Sequence, residues 1–212
     1  MQLIEHYLSL QGEGLHSGKP TYFVRFARCN LRCQWCDTSY SFGKGTLVSF
    51  NTVTSKIKES RAKFVCLTGG EPLLHTEDCI QLMRHAPQLH FDIETGGSLD
   101  IQPFQVKNSS IIMDWKLEHS GMNHKMKQDN LLYLRPEQDL LKFVTDGSSV
   151  EKSEILQIIE KTKNRGFQIS IQPVFGCEIQ PIADWLLSLK NPCLQFNLQL
   201  HKLIWAAHPV GI

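Results

Sequence analysis

The 212-residue sequence has almost no net charge, with 22 lysines and arginines against 21 acidic residues. A nucleic-acid surface needs a basic field to meet the phosphate backbone, so no nucleic-acid partner is expected. The sequence also lacks any stretch near the roughly 20 uninterrupted apolar residues that a membrane-spanning helix requires. Residues 1–10, MQLIEHYLSL, place Glu5 and His6 among apolar positions, and no small-residue cleavage site follows, so no signal peptide is expected. No membrane association is anticipated, and the expected compartment is the cytoplasm. Repeats, low-complexity tracts and proline- or serine-rich linkers are missing, which leaves residues 1–212 as one domain. A disulfide framework is missing too: the seven cysteines are odd in number, and Cys66, Cys79, Cys177 and Cys193 are scattered among apolar neighbours as small hydrophobes would be.

What is present is a recurrent strand signal. Apolar runs that end in polar or glycine punctuation predict strands at Tyr22–Arg28, Phe64–Thr68, Leu89–Thr95, Ile111–Lys116, Leu140–Val144 and Phe167–Val174. Helical patterns occupy Asn51–Ser60, Thr76–His85, Glu151–Arg165 and Ile179–Leu189, with Thr76 placed as an N-cap before Glu77 and Asp78. Alternating strands and helices predict an α/β fold with a parallel sheet, and runs such as FVCLT suit strands covered on both faces. Six such units make an incomplete (β/α)6 parallel barrel. Ser39–Leu47 and Ser120–Glu137 are its longest irregular stretches. Chemistry gathers at the carboxyl ends of the strands in such folds, and four predicted strands run there into polar motifs. These are the cysteine cluster, Thr68-Gly69-Gly70-Glu71-Pro72, Glu94-Thr95-Gly96-Gly97 and Asp114-Trp115-Lys116.

Cys29, Cys33 and Cys36 crowd into eight residues, flanked by Arg28 and Arg32, whose charges would favour thiolates. Thiolates select zinc, copper(I) or iron–sulfur centres. Structural zinc closes with four ligands, for which His16 or Asp37 would have to complete the set. Three cysteines alone leave one iron of a [4Fe–4S] cluster open to a substrate or cofactor.

Cys29-x3-Cys33-x2-Cys36 after the first strand, with Gly69-Gly70-Glu71-Pro72 after the second, resembles the radical S-adenosylmethionine superfamily. A narrower resemblance spans nearly the whole chain. Ser9-Leu10-Gln11-Gly12-Glu13-Gly14, Phe23-Val24-Arg25-Phe26, Cys36-Asp37-Thr38, Glu94-Thr95-Gly96-Gly97, Asp114-Trp115-Lys116 and Gln199-Leu200-His201-Lys202 resemble the 7-carboxy-7-deazaguanine synthase family. This resemblance implies a radical lyase that converts 6-carboxy-5,6,7,8-tetrahydropterin to 7-carboxy-7-deazaguanine with loss of ammonia, toward queuosine and related 7-deazapurines.

The same resemblance implies site residues. Cys29, Cys33 and Cys36 would hold the cluster, with S-adenosylmethionine on the open iron, and Thr38 would bind Mg²⁺. Leu10, Gln11, Gly12, Arg25, Thr68 and Ile212 would contact the pterin, Arg25 through its carboxylate. Trp35, Cys36, Asp37, Gly70, Glu94, Asp114, Trp115 and Lys116 would face S-adenosylmethionine, although Glu94 serves equally well as a structural acceptor. His201 reads on its own as a hydrogen-bonded structural residue. A homodimer and a one-electron donor such as a flavodoxin are also implied. Two other readings remain at this point: an activase that makes a glycyl radical on a partner protein, and a zinc-stabilised module without catalysis.

Overall fold

A strand that is covered on both faces must be apolar along its length, and the sheet of this protein is built from such strands. The computed structural model describes residues 1–205, so Ile212 lies outside the described residues. The strands are β1 (Gln2–Leu10), β2 (Pro20–Phe26), β3 (Thr46–Leu47), β4 (Phe64–Gly69), β5 (His90–Thr95), β6 (Ser109–Asp114), β7 (Leu140–Thr145), β8 (Gln168–Pro173) and β9 (Leu194–Phe196). They form one open sheet in the order β3-β1-β2-β4-β5-β6-β7-β8-β9. From β2 to β9 every neighbouring pair is parallel, while β1 runs antiparallel to both β2 and β3. All six predicted strands are present in parallel succession, and the open sheet has the form of a partial barrel.

The helices α1 (Phe50–Ser60), α2 (Thr76–His85), α4 (Ser149–Thr162) and α5 (Gln180–Ser188) cover the outer face, and two short ones, α3 (Asn130–Tyr133) and α6 (Leu200–Ile204), lie between and after them. Ser49 caps α1 by accepting the Thr52 N–H at 3.0 Å. Thr76 does not cap α2 as expected. A single 3₁₀ turn, Pro72–His75, precedes it, and the Thr76 hydroxyl donates backwards to the Leu73 carbonyl. The crossovers from β5 to β6 and from β6 to β7 run through turns and the four-residue α3 rather than full helices, so the outer layer is incomplete there.

Phe26, Phe91, Phe104 and Phe143, together with Ile93 and Ile111, are fully buried between sheet and helices. Each side chain of that size removed from water contributes roughly 1.5–3 kcal/mol. Side chains of the opposite parity point to the concave face, where polar residues collect: Arg25 on β2, Cys66 and Thr68 on β4, Glu94 on β5, Asp114 on β6, Lys142 on β7 and Gln172 on β8.

Candidate active site

These inward residues line one cavity of about 500 Å³ at the carboxyl end of the parallel strands. The chain leaves β2 through Arg28, whose φ of 69° turns it out of the strand, and its N–H donates to the Ser41 carbonyl at 2.7 Å. The loop that follows carries Cys29, Cys33 and Cys36, all three lining the cavity as free thiols. Gln34 N–H donates to Ser120 O at 3.1 Å, which ties this loop to the segment after β6.

Burial pushes the Cys29 thiol up to about 11, with Glu71 adding to the shift, and burial also raises Cys33. The cation acting against this on Cys33 is Lys116, not either flanking arginine. Arg32 instead donates to the carbonyls of Cys29 and Leu31 and stacks over Phe42, 4.1 Å from the ring centre. The Leu31 N–H donates to Cys29 Sγ at 3.4 Å, the kind of bond that tunes cluster sulfurs.

The spacing of the thiols separates the metal candidates. Four ligands around a single zinc at 2.3 Å place sulfurs about 3.8 Å apart. Among the described residues, two groups of three potential ligands lie within 4.8 Å of one another, His16 with His90 and Asp92, and His119 with Asp146 and Glu151. The three cysteines are not such a group. Their thiols do not all lie within 4.8 Å of one another, wider than the spacing around one shared zinc. His16 also does not reach them, because its Nδ1 is bonded to Asp92 at 2.9 Å. That bond instead pins the β1–β2 loop to β5.

The glycine turn after β4 lies directly against the cysteine loop. Gly70 N–H donates to Phe26 O at 3.0 Å and Glu71 N–H to Arg28 O at 2.8 Å. A Cβ on Gly70 would sit 1.9 Å from Arg28 O, and one on Gly69, at φ 133°, would sit 2.2 Å from Phe26 O. The two glycines are thus required by backbone packing on the start of the cluster loop, and Gly70 still lines the cavity. Glu71, which sequence inspection left without a role, is almost fully buried and holds the turn to the next strand. It accepts from Leu73 N–H at 3.0 Å, Thr95 Oγ1 at 2.9 Å and Gly96 N–H at 2.9 Å.

Leu10, Gln11, Gly12, Arg25 and Thr68 line the same cavity. The Gln11 backbone closes its loop through bonds to Lys19 and Gly18, while its buried Nε2 has no partner among the described residues. Arg25 is not an exposed strand arginine: its side chain is 12% accessible, it donates Nε to Glu5 Oε1 at 2.7 Å, and it donates Nη2 to Tyr7 Oη at 3.2 Å. Gly12 is a glycine because His201 stacks on it, and a Cβ there would lie 2.3 Å from His201 Nδ1.

Trp35, Asp37, Thr38, Asp114 and Lys116 also line the cavity, with Lys116 Nζ on Asp114 Oδ2 at 2.7 Å. Trp115 does not line it. Between the inward Asp114 and Lys116, alternation sends its indole outward, where it is buried in the core, so any contact it makes with a cofactor would be through its backbone. Asp37 and Thr38, which general chemistry left as comparable oxygen ligands, differ in their surroundings. Asp37 Oδ2 is engaged by Lys202 at 3.1 Å and Gln199 at 3.2 Å, whereas the Thr38 hydroxyl stands 3.8 Å from Cys36 Sγ.

Glu94 is neither isolated nor idle. Its carboxylate lies 3.4 Å from Lys142 Nζ, and the same ammonium is 2.7 Å from Glu13 and 3.8 Å from Asp114. Burial raises Glu94 to about 7 despite Lys142, and the neighbouring carboxylates of Glu13, Asp92 and Asp114 add to the rise. Lys142 and Glu13 were not singled out from the sequence. A lysine within the run LLKFV was the available signal, since an apolar strand does not bury an ammonium without partners. Gln172 was missed as well: it is buried, lines the cavity, and its Oε1 has no partner among the described residues.

An open partial barrel with three thiols on the loop after its first parallel strand and a glycine turn after its second defines a radical S-adenosylmethionine protein, and the Radical SAM superfamily model matches residues 23–106. That superfamily implies a [4Fe–4S] cluster and S-adenosylmethionine as cofactors. The chain is 37% identical to the 7-carboxy-7-deazaguanine synthase of Clostridium acetobutylicum, over all of this chain and 99% of that protein. It is 40% identical to the one of Bacteroides thetaiotaomicron, over 94% of this chain and 95% of that protein. The crystal structure of QueE from Escherichia coli superposes with a TM-score of 0.71, covering 93% of this chain and 92% of that one at 20% identity, and so shares its fold. The chain belongs to the 7-carboxy-7-deazaguanine synthase family.

Proposed function

We propose that the protein contracts 6-carboxy-5,6,7,8-tetrahydropterin to 7-carboxy-7-deazaguanine with release of ammonia. The observation that carries this reading is that the cluster cysteines and the candidate pterin contacts Gln11, Arg25 and Thr68 line the same cavity. Cys29, Cys33 and Cys36 would hold the cluster, and Gly70, Trp35, Asp37, Asp114 and Lys116 would border S-adenosylmethionine. When bound, these groups supply reductive cleavage of the sulfonium and abstraction of a hydrogen atom from the substrate.

The chain's own residues orient the pterin and exclude water. Burial between Tyr7 and Tyr40 favours a fixed guanidinium at Arg25, and with Nε committed to Glu5 its terminal nitrogens are the ones placed to meet a carboxylate. Gln11 presents an unpaired buried amide donor from the same wall. Thr38 would offer one oxygen to Mg²⁺, with the rest of the shell from substrate and water. Ile212 as a substrate contact, a homodimer, a flavodoxin-like electron donor and a cytoplasmic location rest on the family resemblance. Among the described residues, no helix is long and apolar enough to cross a membrane.

The test is anaerobic reconstitution with iron, sulfide and a reductant, followed by assay for S-adenosylmethionine cleavage, 7-carboxy-7-deazaguanine and ammonia. Product formed without any partner protein separates this function from a glycyl-radical activase. A fully loaded cluster with no pterin conversion would refute it.

A further inference from the structure

Lys142 sits in the middle of β7 between Leu141 and Phe143, both fully buried, with its ammonium turned to the cavity. An ammonium has three hydrogens to donate, and here three carboxylates from three separate segments surround it. Glu13 comes from the β1–β2 loop, Glu94 from the end of β5 and Asp114 from the end of β6. The three are not equally committed. Glu13 uses its second oxygen to accept from Gln199 at 2.9 Å, and Asp114 is held at 2.7 Å by Lys116 through Oδ2, its buried Oδ1 also having no partner among the described residues. Glu94 meets Lys142 through Oε2, and its Oε1 has no hydrogen-bond partner among the described residues.

We propose that Lys142 is a positioning residue that keeps Glu94 ionised and aimed, so that Glu94 Oε1 serves as the acceptor for the ring N–H and amino donors of the pterin's amino-pyrimidinone edge. This rests on the function proposed above and assigns Glu94 to the substrate rather than to S-adenosylmethionine. The chemistry is complementary, since the edge of that ring presents adjacent N–H donors and a carboxylate is an acceptor alone. The charges facing Glu94 from each neighbouring element are Glu13 on the loop, Cys66 on β4, Asp92 on its own strand, Asp114 on β6 and Lys142 on β7. All but Lys142 are acidic groups that disfavour the ionised form. Without that one cation the carboxyl would hold its proton to higher pH and lose its role as acceptor across the neutral range.

The test is equilibrium binding of 6-carboxy-5,6,7,8-tetrahydropterin to the cluster-loaded enzyme as a function of pH, together with turnover, in wild type, Lys142→Met, Lys142→Arg and Glu94→Gln. Wild-type affinity should fall as pH drops through about 7, where Glu94 protonates. Lys142→Met should weaken binding about tenfold or more at neutral pH and move the acid limb to higher pH. Lys142→Arg should restore most of both, and Glu94→Gln should weaken binding and remove the limb. Iron content should be unchanged in all three, which a general folding defect would not leave intact. An unaltered pH limb in Lys142→Met, or an unaltered affinity in Glu94→Gln, overturns the inference, and Glu94→Gln decides it should Lys142→Met fail to fold. A wild type that binds the pterin with this pH dependence but does not turn it over keeps the inference and removes the proposed reaction, whereas one that does not bind it removes both.

Discussion

Glu5 on β1 and Arg25 on β2 face each other across the antiparallel pair, with Arg25 Nε 2.7 Å from Glu5 Oε1. The one antiparallel strand beside the barrel therefore sets the rotamer of the candidate carboxylate anchor. Arg25→Lys keeps the charge but loses the planar pair of donors. Its KM for the carboxypterin should rise about 10- to 100-fold, as loss of a charged hydrogen bond implies, while iron content stays at the wild-type level. Glu5→Gln should give a smaller rise in KM, because the guanidinium remains but is less firmly placed. Steady-state kinetics of both variants checks the ordering.

The roles of Cys36 and Thr38 should separate although their side chains are 3.8 Å apart. Alanine at Cys29, Cys33 or Cys36 should abolish iron loading, the brown colour and all activity. Thr38→Ala should retain the cluster and lose the dependence of activity on Mg²⁺. Iron analysis and absorption spectra of the four variants decide the matter, and equal iron loss in Thr38→Ala would contradict the division.

Gly70→Ala should be damaging although it adds a single methyl group. The new Cβ would meet backbone, Arg28 O at 1.9 Å and Cys29 N at 2.9 Å, and backbone at that position cannot rotate away. A stability loss of more than about 2 kcal/mol is expected, together with poor cluster loading. Chemical denaturation of the cluster-free protein measures the first effect independently of the second.

Two half-buried histidines should each make a contribution to stability that acid removes. Burial holds the pKa of His90 and of His201 below the ordinary 6.5, so at mildly acidic pH the unfolded chain binds protons that the folded chain refuses. The contribution of these two histidines is fully present above about pH 6.5 and is lost as pH falls below it, opposed by Glu94, whose raised pKa lets the folded chain take up a proton first. His90→Gln should flatten this decline, and melting temperature against pH is the measurement.

Much of this molecule was legible from pattern alone, and the rest was hidden for identifiable reasons. The parallel strands announce themselves because both faces are apolar. Strand β1 does not, since a register shift between Leu3 and Glu5 interrupts its alternation and its polar residues meet partners such as Arg25. The four strand ends that carry motifs do converge on one cavity, and within Asp114-Trp115-Lys116 the two-residue period sends the Trp115 side chain into the core, away from its neighbours. Lys142 was absorbed into an apolar run, and its partners come from residues as distant as Glu13, a pairing no local pattern contains. The arginines beside the cysteines were taken for thiolate partners on proximity in sequence. The Arg32 side chain turns to backbone carbonyls, and Lys116 arrives from beyond the end of another strand.

The contact of the Gly69-Gly70 turn with Phe26 and Arg28 divides the cavity into two kinds of construction. Where the cluster and the sulfonium would meet, the spacing is written in main-chain atoms, and few side-chain replacements can retune it. On the wall proposed for the pterin the shape is written in the side chains of Gln11, Arg25, Thr68 and Glu94, each exchangeable one at a time. A chain built this way can have its substrate preference redrawn while the apparatus that starts the radical stays as it is.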